Sequence, residues 1–272
     1  MKTYKNINSI ALGSFDGIHL GHQALIEQLC HNSALIVVGK KIPNLTLYND
    51  KKKYSKKEVI ELEFNEIRGL NDISFVQFLK KYFPNLKKIV VGYDFYFGKD
   101  RKYSMNNLKK LFTNTVIVKE KKHLGVSVHS GYIRELISDG QVNLVKEYLS
   151  RYYGFKANII KGNGLGSKEL FATFNLSNNT HLKPKNGVYI TKTVLDNKSY
   201  NSISFVGNRL SVDNEYSIES HILEEFEEPV SLESEIYFMK FLRENKKFEI
   251  LDELKSQISQ DKEKALSYFD ER

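Results

Sequence analysis

The sequence predicts an α/β half built on a parallel sheet, followed by an all-β half that forms an antiparallel sheet or small barrel and closes with a helix. Three observations predict it. Up to Leu149, apolar strand-like runs alternate with segments of helical spacing, the pattern of parallel strands joined by crossover helices. From Lys156 the period shortens to two, with β-branched and aromatic residues separated by Asn, Gly and Pro. The charge changes at the same place: residues 1–153 hold 25 Lys/Arg against 14 Asp/Glu, and residues 154–272 hold 16 against 19. A domain boundary is therefore expected near Tyr153 and Gly154, giving domains 1–153 and 154–272.

Taken in order, Ser9 to Leu12 reads as a strand running into a glycine-rich turn. His22 to Cys30 has helical spacing, and Ala34 to Gly39 reads as a buried strand. The segment Lys40 to Ser55 is polar, carries Pro43 and a lysine cluster, and is expected to loop out. Phe75 to Phe83 is helical, Lys88 to Gly92 a strand, Asn106 to Phe112 a helix and Thr115 to Val118 a strand. Two more helices, Ile133 to Ser138 and Val142 to Leu149, are separated by the Asp139-Gly140 stop signal. In the second half ANIIKG, GVYITKTVL, YNSISFVG, YSIESHIL and EIYFMKFL read as strands. Phe248 to Phe269 closes the chain as a helix, with apolar positions at Leu251, Leu254, Ile258, Ala265 and Leu266.

The 272 residues are 41% hydrophobic, 12% aromatic and 27% charged, which excludes disordered, collagen-like and membrane-spanning classes. No run approaches the roughly 20 apolar residues of a spanning helix, and the N-terminus lacks an apolar signal core, so a cytoplasmic location is expected. A single cysteine, Cys30, forms no intramolecular disulfide and rules out cysteine-bound structural zinc; its apolar-periodic segment predicts a buried thiol. The net charge of +8 leaves nucleic acid open as a partner, but the excess is mostly lysine in KKK and KK runs, which marks a solvated surface more than a base-reading one.

The sharpest local feature is Gly13-Ser-Phe-Asp-Gly-Ile-His19-Leu-Gly21-His22, between a strand and a helix. Its glycines permit tight turns and close ligand approach, and the helix N-terminus beyond them offers unpaired N–H groups to phosphate. His19 and His22, three residues apart, can both address one anion from the first helical turn and stabilise charge as one phosphate attacks another. They can equally cap or pack the helix start. The segment is neither a Walker motif nor GxGxxG. It resembles the HxGH signature of the nucleotidyltransferase superfamily, in the FDGxHxGH form of bacterial FAD synthetases. Two later segments are similar to that family: Val91-Gly-Tyr-Asp-Phe-Tyr-Phe-Gly98 with Arg101 to GxDFxFGxxR, and Val128-His-Ser-Gly-Tyr-Ile-Arg134 to ISSTxIR. His129 and Gly131 depart from the second pattern, and the TFxPHP-like run is missing after the first helix. The resemblance implies a Rossmann-like nucleotidyltransferase domain in which His19 and His22 are catalytic. It implies ligand-binding roles for Gly13, Phe15, Asp16, Gly17, Gly21, Asp94, Phe95, Gly98, Arg101, Ser130 and Arg134.

In the second half a glycine-rich stretch from Gly162 leads to Thr173 and Asn175. On an extended segment residues i and i+2 share a face, so this pair can present two oxygens to one hard cation, although such pairs also abound as local hydrogen-bonders. The stretch resembles the riboflavin kinase motif GxxxGRxLGFPTAN, with Gly162, Gly166, Phe171, Thr173, Asn175 and Leu176 in register. Leu170, Ser167, Ala172 and Phe174 stand where Gly, Arg, Pro and Ala are usual. Gly187-Val-Tyr, Val206-Gly207-Asn-Arg209 and Leu242-Arg243 through Phe248 are similar to further segments of that family. Glu219-Ser-His221-Ile-Leu is similar to its ExHIL segment, which implies Glu219 as general base; the pair Glu219 and His221 shares a face by alternation. The resemblance implies Mg²⁺ at Thr173 and Asn175, and ligand contacts at Gly162, Gly166, Arg209 and Arg243.

Together the two resemblances imply a bifunctional riboflavin kinase and FAD synthetase: ATP and riboflavin yield FMN in the second domain, and ATP and FMN yield FAD and pyrophosphate in the first. Two other readings stay open, a monofunctional kinase with a degenerate nucleotide-binding domain and a basic nucleic-acid-binding accessory protein. On the favoured reading no membrane or nucleic-acid partner is needed, and the oligomeric state is not specified.

Overall fold

The apolar runs of the first half become strands of one parallel sheet in the computed structural model, which describes residues 3–38, 44–160, 173–178, 180–208, 216–227 and 229–271. Two units divide at Ser130 and Gly131. The first contains β1 (Ser9–Gly13), α1 (Leu20–Ile26), β2 (Ser33–Val38), α2 (Tyr48–Ser55), β3 (Glu58–Leu62) and the short α3 (Phe64–Ile67). It continues with α4 (Asp72–Tyr82), β4 (Lys88–Gly92), the hairpin of β5 (Tyr96–Phe97) and β6 (Tyr103–Ser104), α5 (Met105–Leu111), β7 (Thr115–Val118), and the hairpin of β8 (Lys122–His123) and β9 (Val126–Ser127).

The sheet order is β3-β2-β1-β4-β7, all parallel. Alternate residues feed two cores. Ile10, Leu12, Ala34, Ile36, Ile89 and Val91 pack with Phe75, Val76 and Leu79 of α4 and Leu108 of α5 on one face. Ala11, Leu35, Val37, Val59 and Val90 pack with Phe15, Ile18 and Leu25 on the other. Each fully buried aliphatic side chain contributes about 1.5–3 kcal/mol, so the pairing register is strongly specified. Because β1 is flanked by β2 and β4, the chain reverses its direction of winding there, and the crevice outside the carboxyl ends of β1 and β4 is where such sheets bind ligands.

Two expectations for this half are corrected. The polar segment Lys40 to Ser55 is not a loop throughout: residues 48–55 form α2, β3 adds an edge strand just beyond it, and Leu45, Thr46, Lys51 and Ser55 are buried. Lysine runs suggested a solvated surface, but helical spacing turns Lys51 and Ser55 inward together. Cys30 is exposed, because α1 ends at Ile26 and the thiol falls beyond the turn that follows.

The second unit contains α6 (Ser130–Ser138, its first residue in the first unit), α7 (Val142–Leu149), β10 (Tyr153–Ile160), β11 (Thr173–Ser177), β12 (Gly187–Leu195), β13 (Lys198–Asn208), β14 (Tyr216–Ile222), β15 (Glu233–Arg243) and α8 (Leu251–Asp270). Six antiparallel strands close into a barrel in the order β10-β11-β14-β13-β12-β15. The division falls before the change of period at Tyr153 because α6 and α7 associate with the barrel: α7 packs on β10 and β15, and the Lys185 N–H donates to Ile137 O. One part of the barrel's buried set is aromatic, with Tyr153, Phe155, Tyr189 and Phe238 in mutual contact. Another is a chain of fully buried hydroxyls in which Thr191 bonds Ser202 and Ser204, and Thr193 bonds Ser202 and Ser220, at 2.7–2.9 Å. On the barrel's other face Val188, Ile190, Ile203 and Met239 pack with Ala265 of α8. Leu266, expected among that helix's apolar positions, is 38% exposed. No described helix is long and apolar enough to cross a membrane.

Candidate active sites

In the first unit β1 ends at Gly13 and the chain crosses to α1 through a turn that ordinary residues rarely adopt. Phe15 and Ile18 sit at φ of 47° and 45°, left-handed values that cost of order 1–3 kcal/mol each outside glycine. Burial holds them, since Phe15 is 0% and Ile18 1% exposed in the core beneath the turn. Asp16 ties the turn to the segment before α2: its Oδ1 accepts from the N–H groups of Leu45 (2.8 Å) and Thr46 (3.2 Å), and the Gly17 N–H donates to Thr46 Oγ1 at 2.9 Å. Ser130 Oγ donates to Asp16 O at 2.7 Å.

The turn presents the two histidines as a stacked pair. Their rings lie 3.7 Å apart at 20°, and Phe15 packs against His22 at 5.1 Å. His19 is the N-cap of α1, accepting from the His22 N–H through Nδ1 at 3.3 Å. In the neutral ring this leaves the proton on Nε2, so capping sets which nitrogen can donate. Nδ1 of His22 is buried and has no hydrogen-bond partner. Burial first, then the charges of His19 and Lys51, hold the His22 imidazole well below its usual range, so it is neutral at pH 7. Gly21 is needed for closeness: a Cβ there would stand 3.1 Å from the His19 ring and 3.2 Å from Val128 O.

Asp94 and Phe95 follow the carboxyl end of β4, the strand beside β1. Asp94 is exposed, whereas Phe95 is half-buried against the core and stacks on Phe97 at 5.7 Å. Gly98 has φ of 75°, and a Cβ would come within 2.7 Å of Leu70 O. Arg101 is exposed, with its guanidinium 5.6 Å from the Tyr96 ring centroid. Arg134 is half-buried one turn along α6 from Ser130 and belongs to the second unit. Gly13 ends β1, where a Cβ would meet the Phe15 ring at 3.3 Å.

The barrel site is assembled by register. In the β11–β14 pair Thr173 stands opposite His221 and Asn175 opposite Glu219. Directly opposite residues share a face, so two oxygen donors and the carboxylate form one patch with His221. On the far side of β14, Glu219 is opposite Phe205 and His221 opposite Ile203, both packed in the cluster that contains Ala265 of α8. The carboxylate thus sits between a polar strand and an apolar wall, half-buried. A hard-cation site fits this donor set: neutral Thr and Asn oxygens leave the ion's charge for phosphate oxygens. No cluster of three His, Cys, Asp or Glu side chains suited to a metal occurs among the described residues. Gly162, Gly166 and Arg209 lie outside the described residues.

Arg243 is engaged elsewhere in the fold. Its Nε and NH2 donate to the Asp261 carboxylate, which is 2% exposed, at 2.7–3.1 Å, so its guanidinium mounts α8 on β15. Lys51 and Thr46 were missed from the sequence; the one available signal was the i, i+4 relation of Lys51 and Ser55, hidden by the surrounding lysines.

Comparison with known proteins bears on both halves. A riboflavin kinase family model matches residues 149–269 and an FAD synthetase family model residues 1–36. A bifunctional riboflavin kinase/FMN adenylyltransferase of Bacillus subtilis is 28% identical over 96% of this chain and 92% of its own. One from Buchnera aphidicola subsp. Schizaphis graminum is 28% identical over 97% and 96%. A crystal structure described as a macrolide-efflux protein from Streptococcus pneumoniae superposes with a TM-score of 0.87, at 23% identity and covering 96% and 94% of the two chains, which shows a shared fold. With both family models matched and the likeness to these relatives running nearly end to end, the chain belongs to the bifunctional riboflavin kinase/FMN adenylyltransferase family.

Proposed function

We propose that the chain phosphorylates riboflavin to FMN in its barrel and adenylylates FMN to FAD in its α/β half, with the functional boundary near residues 153–154. The observation that carries this reading is the β11–β14 register, which faces Asn175 with Glu219 and Thr173 with His221. Thr173 and Asn175 would hold Mg²⁺, and the ion, when bound, offsets negative charge on ATP phosphates. Glu219 accepts the proton of the ribityl 5′-hydroxyl as that oxygen attacks the γ-phosphorus, the bond to the β–γ bridging oxygen breaks and ADP leaves. The Phe205 side of the patch offers an apolar wall suited to a flat apolar ring system.

In the α/β half the FMN phosphate attacks the α-phosphorus of ATP, and pyrophosphate leaves. Positioning and hydrogen-bond donors carry such a step, with no protein nucleophile. His19 donates from Nε2, and a phosphate oxygen would satisfy the buried Nδ1 of His22. The neutral state of His22 makes it a directional donor. Asp94, Phe95, Gly98 and Arg101 are proposed for the flavin side, a reading supported by their position after β4; Ser130, already bonded to Asp16, is proposed for the phosphates, and Arg134 by resemblance alone. Gly162, Gly166, Arg209 and Arg243 stand as proposed ligand contacts of the barrel by resemblance alone. The molecule is proposed to work in the cytoplasm on these small substrates.

The test is a two-step assay with riboflavin and MgATP, separating FMN from FAD by chromatography. Both products are expected in sequence; FMN without FAD would favour the monofunctional reading, and neither product would overturn the proposal.

A further inference from the structure

Lys51 is the one lysine of the KKK run that the fold buries, at 4% exposure. Taking an ammonium out of water is costly unless it is paired. Its Nζ donates to Thr46 O at 2.6 Å. Thr46 is the residue that reaches the histidine turn twice, through its hydroxyl to the Gly17 N–H and through its N–H to Asp16 Oδ1. The chain Lys51–Thr46–Gly17/Asp16 therefore ends two residues before His19, in the stretch where Phe15 and Ile18 take left-handed backbone angles. Such a turn persists only where its surroundings over-determine it. A neutral side chain could buttress it at less cost, so retention of a charge asks for a second reason.

We infer that Lys51 is a positioning residue of adenylyl transfer, bracing through Thr46 the turn that presents His19 and His22 and placing a buried positive charge behind that pair. The inference rests on the proposed adenylylation in this half. The charge environment supports it. Burial first, then His19 and the Lys51 charge, disfavour the His22 imidazolium. Burial lowers the Lys51 ammonium from its usual range, and the charges of Asp16, Glu61 and Asp50 partly offset this. Lys51 thus has two separable effects, one on geometry and one on the protonation of His22.

The experiment measures FMN-to-FAD conversion against pH, with thermal midpoints, for wild type, Lys51→Met, Lys51→Arg and Thr46→Val. Lys51→Met is expected to lower kcat roughly tenfold to a hundredfold, the scale of misplacing a catalytic group. KM for FMN should change little, and the acid limb of the rate profile should move to higher pH as the imidazolium becomes easier to form. Lys51→Arg should keep the acid limb near wild type and recover part of kcat. Thr46→Val should lower kcat without moving the limb. Unchanged kcat in Lys51→Met would overturn the inference, as would a lower thermal midpoint with the acid limb unmoved, which would make Lys51 merely structural. If Lys51→Met fails to fold, Lys51→Arg and Thr46→Val decide it by the same split: an acid limb shared by wild type and Lys51→Arg, with kcat lowered in Thr46→Val, supports it, and wild-type kcat in both overturns it. A wild-type chain that forms FMN but no FAD would instead sink the adenylylation reading itself, a failure already visible before any variant is made.

Discussion

The histidine turn and the barrel patch are built in opposite ways. His19 and His22 are placed by four consecutive residues at one helix start, with rings 3.7 Å apart. Asn175 and Glu219 come from strands separated by two others in the chain and meet only because β11 and β14 pair in one register. The first site depends on local backbone geometry and what braces it; the second depends on the closure of a whole barrel. A one-residue slip of β14 would send Glu219 to the opposite face and leave the histidine turn untouched. Their polar support differs as well: charged and backbone groups, with Asp16 and Lys51, around the turn, and neutral hydroxyls beneath the patch.

The largest test of this contrast is functional. Glu219→Gln should slow FMN formation by about 10²–10⁴-fold, the range for a general base, while conversion of supplied FMN to FAD stays near wild type. His22→Ala should do the reverse, slowing FAD formation by about 10²–10³-fold, as for loss of a transition-state donor. Chromatographic assay of each step separately reads both, and joint loss in either variant would break the separation of the two sites.

Next in size is the barrel's buried hydroxyl chain. Thr193 Oγ1 bonds Ser202 and Ser220, and Ser220 adjoins Glu219. Thr193→Val keeps the shape but strips both partners, so urea denaturation should show a loss of about 1–3 kcal/mol. Adding Ser220→Ala should restore part of it, because one orphaned hydroxyl is then removed. An additive double variant would mean that the chain does not act as a unit.

The smallest effect concerns pH. His22 is held below its usual 6.5 in the folded state, so between the folded and unfolded pKa values the unfolded chain binds more protons. Stability from this group is present above about pH 6.5 and is lost as pH falls towards the folded pKa, with a slope of at most about 1.4 kcal/mol per pH unit. Thermal midpoints taken from pH 7 to pH 5 should therefore fall more steeply for wild type than for His22→Asn. Equal slopes would argue against a neutral, desolvated His22.

Much of the fold was legible because it rests on periodicity. The parallel runs from Ser9 to Val118, the switch to period two and the closing helix all follow from side chains that alternate or recur over a few residues. The segment around α2 was not, since its lysines outweigh the two inward positions, Lys51 and Ser55, in any local pattern. Cys30 misled for the same reason: helical spacing extends through it, but the helix stops at Ile26.

By itself the sequence determined the class of each half, the histidine turn and the oxygen pair Thr173 and Asn175, because residues three apart on a helix or two apart on a strand must share a face. Only the tertiary structure decided that Asn175 faces Glu219, that Lys51 is buried with its ammonium on Thr46 O, that Arg243 binds Asp261 through its guanidinium, and that α6 and α7 associate with the barrel. Those outcomes depend on contacts between residues far apart in the chain, where register, closure and the covering of apolar faces are settled cooperatively and leave no short-range trace.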